Sequence, residues 1–319
     1  MLDSAKVADF WGNNAENKPK AVECHWTDSD IIMKHYIHPT ITGTMHENWF
    51  IWVKNNYFKV PAEKALSLGC GDGCLERHGA SANVFKHCDA FDIAQRAIEI
   101  AKEKAREMDI LEKVHYEALD LNNITLEKNR YDVVFCSMSL HHIVNLERLF
   151  REIEKSLKDD GLLIINEYIG PNRFQWTDLQ LEISNDLLKI LPEKYRHDPI
   201  TNSIRKEISR TTVEYMDSID PSEAVRSRDI IPLMEQRFDV INRIDYGGTL
   251  VNLLLDNIIV NFDERKSEDL AILKLLFYLE KKMISNEMLP SDFTMIVSRK
   301  KRNRNTANTL QKLRTLFSS

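Results

Sequence analysis

Cysteine is scarce in this chain and never paired in sequence. The five thiols, Cys24, Cys70, Cys74, Cys88 and Cys136, are odd in number and form no C-x-x-C pair. They fit reduced thiols in a cytoplasmic protein better than a disulfide framework. Long hydrophobic runs are also missing, so no membrane span is expected. The opening residues, MLDSAKVADFWGNN, have neither a basic segment nor an apolar one, so no secretory signal is expected. An excess of positive charge is absent as well: the net charge is −6, which disfavours a long nucleic-acid footprint. The exception is the run Arg299-Lys300-Lys301-Arg302-Asn303-Arg304, read as a solvated end after the last strand. No lysine follows the glycine loop in a P-loop arrangement, and no G-x-S-x-G elbow occurs. NTPase and hydrolase readings therefore lack support.

What is present begins with Ala65–Glu76, ALSLGCGDGCLE. Ala65–Leu68 is short and apolar enough for a buried strand, and it runs directly into Gly69-Cys70-Gly71-Asp72-Gly73. Glycines tolerate positive φ and leave backbone N–H groups open to a ligand. The spacing is G-x-G-x-G. A dinucleotide loop would need its third glycine where Cys74 stands, so a bound pyrophosphate is the weaker reading. At 319 residues, 43% of them apolar and 29% charged, the chain fits a soluble globular protein that holds one large domain or a domain with a sizeable appended cap.

Downstream a βα alternation is legible. Strands are expected at Val84–Phe91, Val114–Leu119, Tyr131–Cys136 and Leu162–Asn166, with Asp159-Asp160-Gly161 as a turn before the last. The helix Ala94–Met108 puts Ala97, Ile98, Ala101, Ala105 and Met108 on one face, and Leu146–Leu157 carries a stripe of Leu146, Leu149, Phe150, Ile153 and Leu157. Strands alternating with such helices imply an α/β fold, a parallel sheet with helices on both faces and ligands at the strands' C-terminal rim. Beyond Glu167 the alternation breaks. A helix at Ser227–Gln236, a strand at Phe238–Asp245, helices at Leu250–Val260 and Asp269–Ile284, and a strand at Phe293–Ser298 complete the reading.

Four rim positions carry candidate chemistry. Asp92 ends the second strand 19 residues after Gly73. Its two oxygens suit vicinal ribose hydroxyls, although an N-cap for the next helix is open to the same residue. Asp120 ends the third strand, where it can accept from an exocyclic amine while Leu121 packs on the ring; an ordinary turn residue is the alternative. Ser137-Met138-Ser139-Leu140-His141-His142 follows the fourth strand. A histidine there is either a general base or a structural wedge, and adjacent side chains diverge, so at most one faces a cofactor. After the fifth strand, Glu167, Tyr168 and Arg173 offer a carboxylate, a phenol and a guanidinium near an acceptor. His25, His35, His38 and His46 invite a metal reading, but no companion ligands have tight spacing, so no metal is expected. The N-terminal aromatics, Trp11 and Trp26 among them, either form a lid over the cleft or pack on the core.

In this ordered set the chain resembles the class I S-adenosylmethionine-dependent methyltransferases. The pieces are LSLGCGDG, FDIA with Asp92, ALDLNN with Asp120, and YDVVFCSMSLHHIVNLERLFREIEKSLKDDGLLIINE, together covering about residues 62–168. The resemblance implies a seven-stranded, mostly parallel sheet with its final strand antiparallel, and a largely helical cap. It implies S-adenosylmethionine as cofactor, held by Gly69, Cys70, Gly71, Gly73, Asp92, Ile93, Asp120, Leu121, Ser137 and Met138. Methyl transfer to an oxygen or nitrogen of a small acceptor, such as a sugar or natural-product intermediate, follows. The candidate bases are His142, His141 and Glu167 in that order, with Tyr168 and Arg173 orienting the substrate. RNA or protein methylation, or a non-catalytic cofactor-binding module, are the rival readings, and the helical additions offer a homodimer face. One departure stands out: many members carry an acid where Ser67 stands. The expected organisation is a lid segment (1–60), the cofactor core (61–168), a helical cap insertion (169–225), a return to the core (226–300) interrupted by a helical insertion (247–291), and a basic tail (301–319).

Overall fold

Four consecutive residues in each of two strands, Ala65–Leu68 and Val133–Cys136, are buried without alternation. Such runs belong to a parallel sheet covered on both faces. The computed structural model describes residues 3–16 and 25–301. Cys24 and most of the basic tail, residues 302–319, lie outside the described residues. Among the described residues the main sheet has seven strands, β1 (Ala62–Leu68), β2 (Phe85–Asp92), β3 (Val114–Ala118), β4 (Tyr131–Ser137), β5 (Leu157–Tyr168), β6 (Phe238–Gly247) and β7 (Phe293–Lys300). Their order in the sheet is β3-β2-β1-β4-β5-β7-β6. The β7 strand runs antiparallel to both neighbours, and the pairs among β1–β5 are parallel. The order reverses direction between β1 and β4. That switch point opens a crevice at the C-terminal ends of the strands, where open α/β sheets bind ligands.

The longer helices around the sheet include α1 (Ser4–Glu16), α2 (Cys74–Ser81), α3 (Gln95–Glu107), α4 (Leu146–Ser156), α5 (Asp178–Ile190) and α6 (Ser267–Ser285). On one face, Ile98, Ala101 and Ala105 of α3 join Ala65, Cys88, Phe135 and Ile164 in a single core. On the other face, Leu146, Leu149, Phe150 and Ile153 of α4 pack on Leu66, Leu68, Val134 and Ile165. The α4 stripe is the one read from the sequence, and the α3 stripe is too except for Met108, which caps the helix end and is 47% exposed because it lies past the last buried turn.

The additions pack mainly on the first core. Thr177 caps α5 in a reciprocal box with Gln180, whose amide also reaches Asp292 at 2.9 Å. Tyr36 stacks on Phe277 of α6 at 4.7 Å, and Trp26 meets Phe293 of β7 edge-on at 4.9 Å. The N-terminal aromatics thus divide. Trp26, Tyr36 and Phe50 belong to the core, and α1 alone brings an aromatic, Trp11, to the cleft.

Two local expectations need correction. Asp159-Asp160-Gly161 is no turn between separate elements: Leu157 pairs with Tyr131 and Leu162 with Val133, so these residues bulge within one long strand. The helix expected over Leu250–Val260 is two pieces, Val251–Leu255 and the 3-10 turn Ile259–Asn261. The break falls at Asn257, whose φ of +62° leaves the right-handed helical region. Among the described residues no helix is long and apolar enough to cross a membrane.

Candidate active site

The crevice at the switch point holds a cavity of about 150 Å³ whose wall includes Gly69, Gly71, Asp92, Ile93, Asp120, Leu121, Met138 and His142. Small-molecule sites usually start near ~300 Å³. The space is narrowed from outside by α1, which packs on α3 and contributes Val7 and Trp11 to the wall.

The glycine loop is stitched to β2. The N–H groups of Gly69 and Cys70 donate to the Phe91 carbonyl, at 2.8 and 3.1 Å. Gly69 and Gly71 both have positive φ, +75° and +51°. A Cβ on Gly69 would lie 2.3 Å from the Ser139 Cβ, whereas one on Gly71 would meet nothing within 4 Å. The bare backbone of Gly71 therefore borders open space on the cavity wall, a cradle that fits a ligand group.

Asp92 does two structural jobs at once: its Oδ2 accepts from Gly71 N at 2.8 Å and its Oδ1 from Ala94 N at 2.9 Å. Burial pushes its carboxyl up, and the backbone N–H groups of Ala94, Gly71 and Ile93 pull it back. Each carboxylate oxygen has two lone pairs, so capacity for two hydroxyls remains. Asp120 accepts from Asn122 N at 2.9 Å, and its other oxygen receives the Ser4 hydroxyl of α1 at 3.2 Å. Two carboxylates on the wall suit a nucleoside and repel a phosphate. These groups fit S-adenosylmethionine.

Of the adjacent histidines, His142 lines the cavity and His141 lies behind it, with ring centroids 4.1 Å apart. His141 Nδ1 meets Glu167 at 2.7 Å, and its Nε2 lies 3.6 Å from Glu223. Burial lowers the His141 pKa, but the charge and hydrogen bond of Glu167 outweigh it, aided by Glu223 and Asp220, and the net shift is upward. His142 shifts the other way: burial and the neighbouring His141 drive it well below 6.5. Its Nδ1 is 3.1 Å from the Ser222 hydroxyl, and Ser222 donates its only proton to Asp220 at 2.7 Å. Ser222 must then accept from Nδ1–H, which leaves the His142 Nε2 lone pair free. Asp220 Oδ2 has no hydrogen bond of its own and lies 3.7 Å from His142 Nδ1.

The other candidates lie off the cavity wall. Glu167 is fully buried and accepts from Ser139 N, Leu140 N and His141. The Tyr168 hydroxyl donates to the Pro171 carbonyl at 2.9 Å inside an aromatic cluster with Phe174 and Phe293. Arg173 binds the carbonyls of Glu223 and Pro221 at 3.0 and 2.7 Å and pairs with Asp217 at 2.8 Å. It clamps the loop that delivers Asp220, Ser222 and Glu223. Cys70, Gly73 and Ser137 also stand behind the wall, the Cys70 thiol pushed well up by burial. The four N-terminal histidines do not converge: His25 bonds Thr27 and His35 bonds Glu264. Among the described residues the one close group of three such ligand atoms is His141, His142 and Glu223.

Four buried or half-buried residues escaped the sequence reading. Asp220, Ser222 and Glu223 sit in an irregular segment with no motif, and only the fold brings them to His142. The fourth, Glu76, is an acid in the first turn of α2 that is only 1% exposed. Its one sequence signal was its place three residues after Gly73, inside a buried βα junction.

Residues 66–165 match the model of a family described as a methyltransferase domain. Among curated proteins, the mitochondrial ubiquinone biosynthesis O-methyltransferase of Saccharomyces cerevisiae is 25% identical over 166 residues, 52% of this chain and 51% of that protein. An uncharacterized methyltransferase of Schizosaccharomyces pombe is 28% identical over 124 residues, 36% of this chain and 42% of that one. The chain thus spans about half the length of these relatives. Among solved structures, geranyl diphosphate C-methyltransferase from Streptomyces coelicolor superimposes with a TM-score of 0.51 at 12% identity, covering 93% of this chain and 97% of that one. The cyclase SpnF does so with a TM-score of 0.50 at 13% identity, covering 93% and 94%. Those two likenesses concern the fold.

Proposed function

We infer that the chain is a class I S-adenosylmethionine-dependent methyltransferase, as the methyltransferase-domain match over residues 66–165 supports, and on that premise we propose that it methylates an oxygen or nitrogen of a small organic acceptor. A sugar or a natural-product intermediate is the acceptor class this reading favours. The observation that carries it is one cavity wall combining the bare Gly71 backbone, the Asp92 and Asp120 carboxylates and the His142 ring. A narrow cleft roofed by α1 suits a small acceptor better than a polymer, and the net charge of −6 disfavours RNA. Names among the similar curated proteins, such as the ubiquinone O-methyltransferase, point the same way.

The cofactor supplies an already activated methyl group, so the protein's work is alignment, desolvation and proton removal. Asp92 would accept the ribose hydroxyls. Asp120 would accept the adenine amine once Ser4 releases it, with Ile93, Leu121 and Met138 lining the apolar part of the site. His142 Nε2 takes the proton of an acceptor hydroxyl, held in the right tautomer by Ser222 and Asp220. The proton it gains then faces the free oxygen of Asp220 through the ring. Glu167 raises the His141 pKa, and burial together with His141 lowers that of His142. Trp11, edge-on to His142 at 4.8 Å, keeps bulk water from that ring.

The test is His142→Ala, assayed by S-adenosylhomocysteine formation against a panel of hydroxylated and amino small molecules. General-base removal costs roughly 10² to 10⁴ in turnover, with S-adenosylhomocysteine affinity unchanged. Undiminished turnover would remove His142 from the mechanism, and activity on tRNA or a peptide alone would overturn the small-molecule assignment.

A further inference from the structure

A histidine that holds a metal ion through one ring nitrogen has its other N–H fixed from behind by a carboxylate or another polar group. Both histidines that follow β4 are fixed in this way. His141 Nδ1 meets Glu167 at 2.7 Å. His142 Nδ1 meets the Ser222 hydroxyl at 3.1 Å, and Ser222 in turn donates to Asp220 at 2.7 Å. Each ring is left with Nε2 as the nitrogen that can bind a cation, and the ring centroids are 4.1 Å apart. Glu223 completes the group. Ligand atoms of His141, His142 and Glu223 all lie within 4.8 Å of one another, beside the cavity that His142 lines.

We propose that His141 Nε2, His142 Nε2 and the Glu223 carboxylate form a three-ligand site for a divalent cation of the zinc class. Their spacing suits an ion between them. His141 Nε2 and Glu223 Oε1 are 3.6 Å apart, too far for a hydrogen bond. Neighbouring ligands on one tetrahedral zinc are ~3.4 Å apart. The widest separation in the group, within 4.8 Å, reaches that value by closing ~1.4 Å at most. Negative charge there is also left open. Arg173 spends its guanidinium on the carbonyls of Glu223 and Pro221 and on Asp217, not on the Glu223 carboxylate. Asp220 is only 3% exposed, yet its Oδ2 accepts no hydrogen bond and stands 3.7 Å from His142 Nδ1. Two imidazoles and one carboxylate suit Zn²⁺ or Co²⁺ better than Mg²⁺ or Ca²⁺, which take oxygen ligands. The site goes beyond the methyl-transfer reading. A coordinated His142 has no lone pair for an acceptor's proton, so ligand and base are alternative states of one ring.

The experiment is calorimetric titration of the metal-stripped, cofactor-free full chain with Zn²⁺, alongside a Co²⁺ titration followed by absorption. Wild type should bind one equivalent of Zn²⁺. The isosteric Glu223→Gln should bind it at least tenfold more weakly, with the metal-free melting temperature kept. Asp220→Asn, which can still accept from Ser222, should also weaken binding. His115→Ala, at an exposed histidine paired with Glu117 on β3, should stay within twofold of wild type. Co²⁺ should show visible bands without the near-ultraviolet band of a thiolate ligand, which separates this site from the exposed Cys74. No one-equivalent binding by wild type, a thiolate band, or equal affinity in wild type and both site variants (an adventitious ion only) would overturn the proposal. None of these measurements involves methyl transfer, so this inference stands or falls separately from the proposed function.

Discussion

Replacing Glu76 by Gln should change how the empty protein's stability depends on pH, and the size of the change follows from its burial. The carboxyl titrates near 4.5 when exposed and at about 7 in the fold, with desolvation as the main cause. Between those values the folded state holds a proton that the unfolded state has released. Stability therefore falls as pH rises from about 4.5 to about 7, then levels off. At 1.36 kcal/mol per pKa unit, Glu76 contributes a loss of roughly 3 kcal/mol across that window. Asp292 is also pushed to about 7, chiefly by burial, so the wild type should show a steeper fall than one group produces. The difference between wild type and Glu76→Gln isolates Glu76. Urea denaturation of both proteins without cofactor, at pH 5, 6, 7 and 8, measures it. The variant should gain roughly 3 kcal/mol on the wild type between the lowest and highest pH. Parallel curves, with a constant difference across the series, would refute the claim that burial raises the Glu76 carboxyl.

Two further substitutions probe the scaffold around the cleft. Gly69→Ala combines a φ of +75° with a Cβ 2.3 Å from Ser139, so it should cost roughly 2–3 kcal/mol and weaken cofactor binding; a melting temperature equal to wild type would contradict that geometry. Glu280, fully buried on α6, accepts from the N–H groups of Gly248, Leu250 and Val251 and from the Tyr36 hydroxyl. Glu280→Ala strands four donors and should destabilise the fold by about 4 kcal/mol, read as a large drop in melting temperature; a drop of only a degree or two would show that water replaces it.

The parts of this molecule written locally in the sequence were readable. The α3 and α4 stripes, the buried runs of β1 and β4, and Asp92 at a strand end all follow from periodicity and turn chemistry over a few residues. The divergence of His141 and His142 was also foreseeable, because adjacent side chains cannot share a direction. Which of them faces the cavity was not. That depends on Ser222 and Asp220, 80 and 78 residues downstream of His142, held in place by Arg173. Glu167 and Tyr168 looked like rim chemistry because they end β5. In the structure Glu167 is consumed by backbone N–H groups and Tyr168 by an aromatic cluster. Glu76 was invisible for the opposite reason: a carboxylate in a first helical turn ordinarily reads as a solvated complement to the helix dipole. Only the packing of β2, β3 and the loop above it reveals its burial.

The central claim is that the crevice at the β1–β4 switch point binds S-adenosylmethionine through Asp92. Titration of the wild type and Asp92→Ala with S-adenosylhomocysteine tests it most directly. Two hydrogen bonds to a carboxylate, at roughly 1.5–3 kcal/mol each, put the expected loss at about 100-fold or more. The wild type should bind one equivalent and Asp92→Ala should bind at least that much more weakly. Equal affinity in both proteins, or no binding by the wild type, would contradict the account.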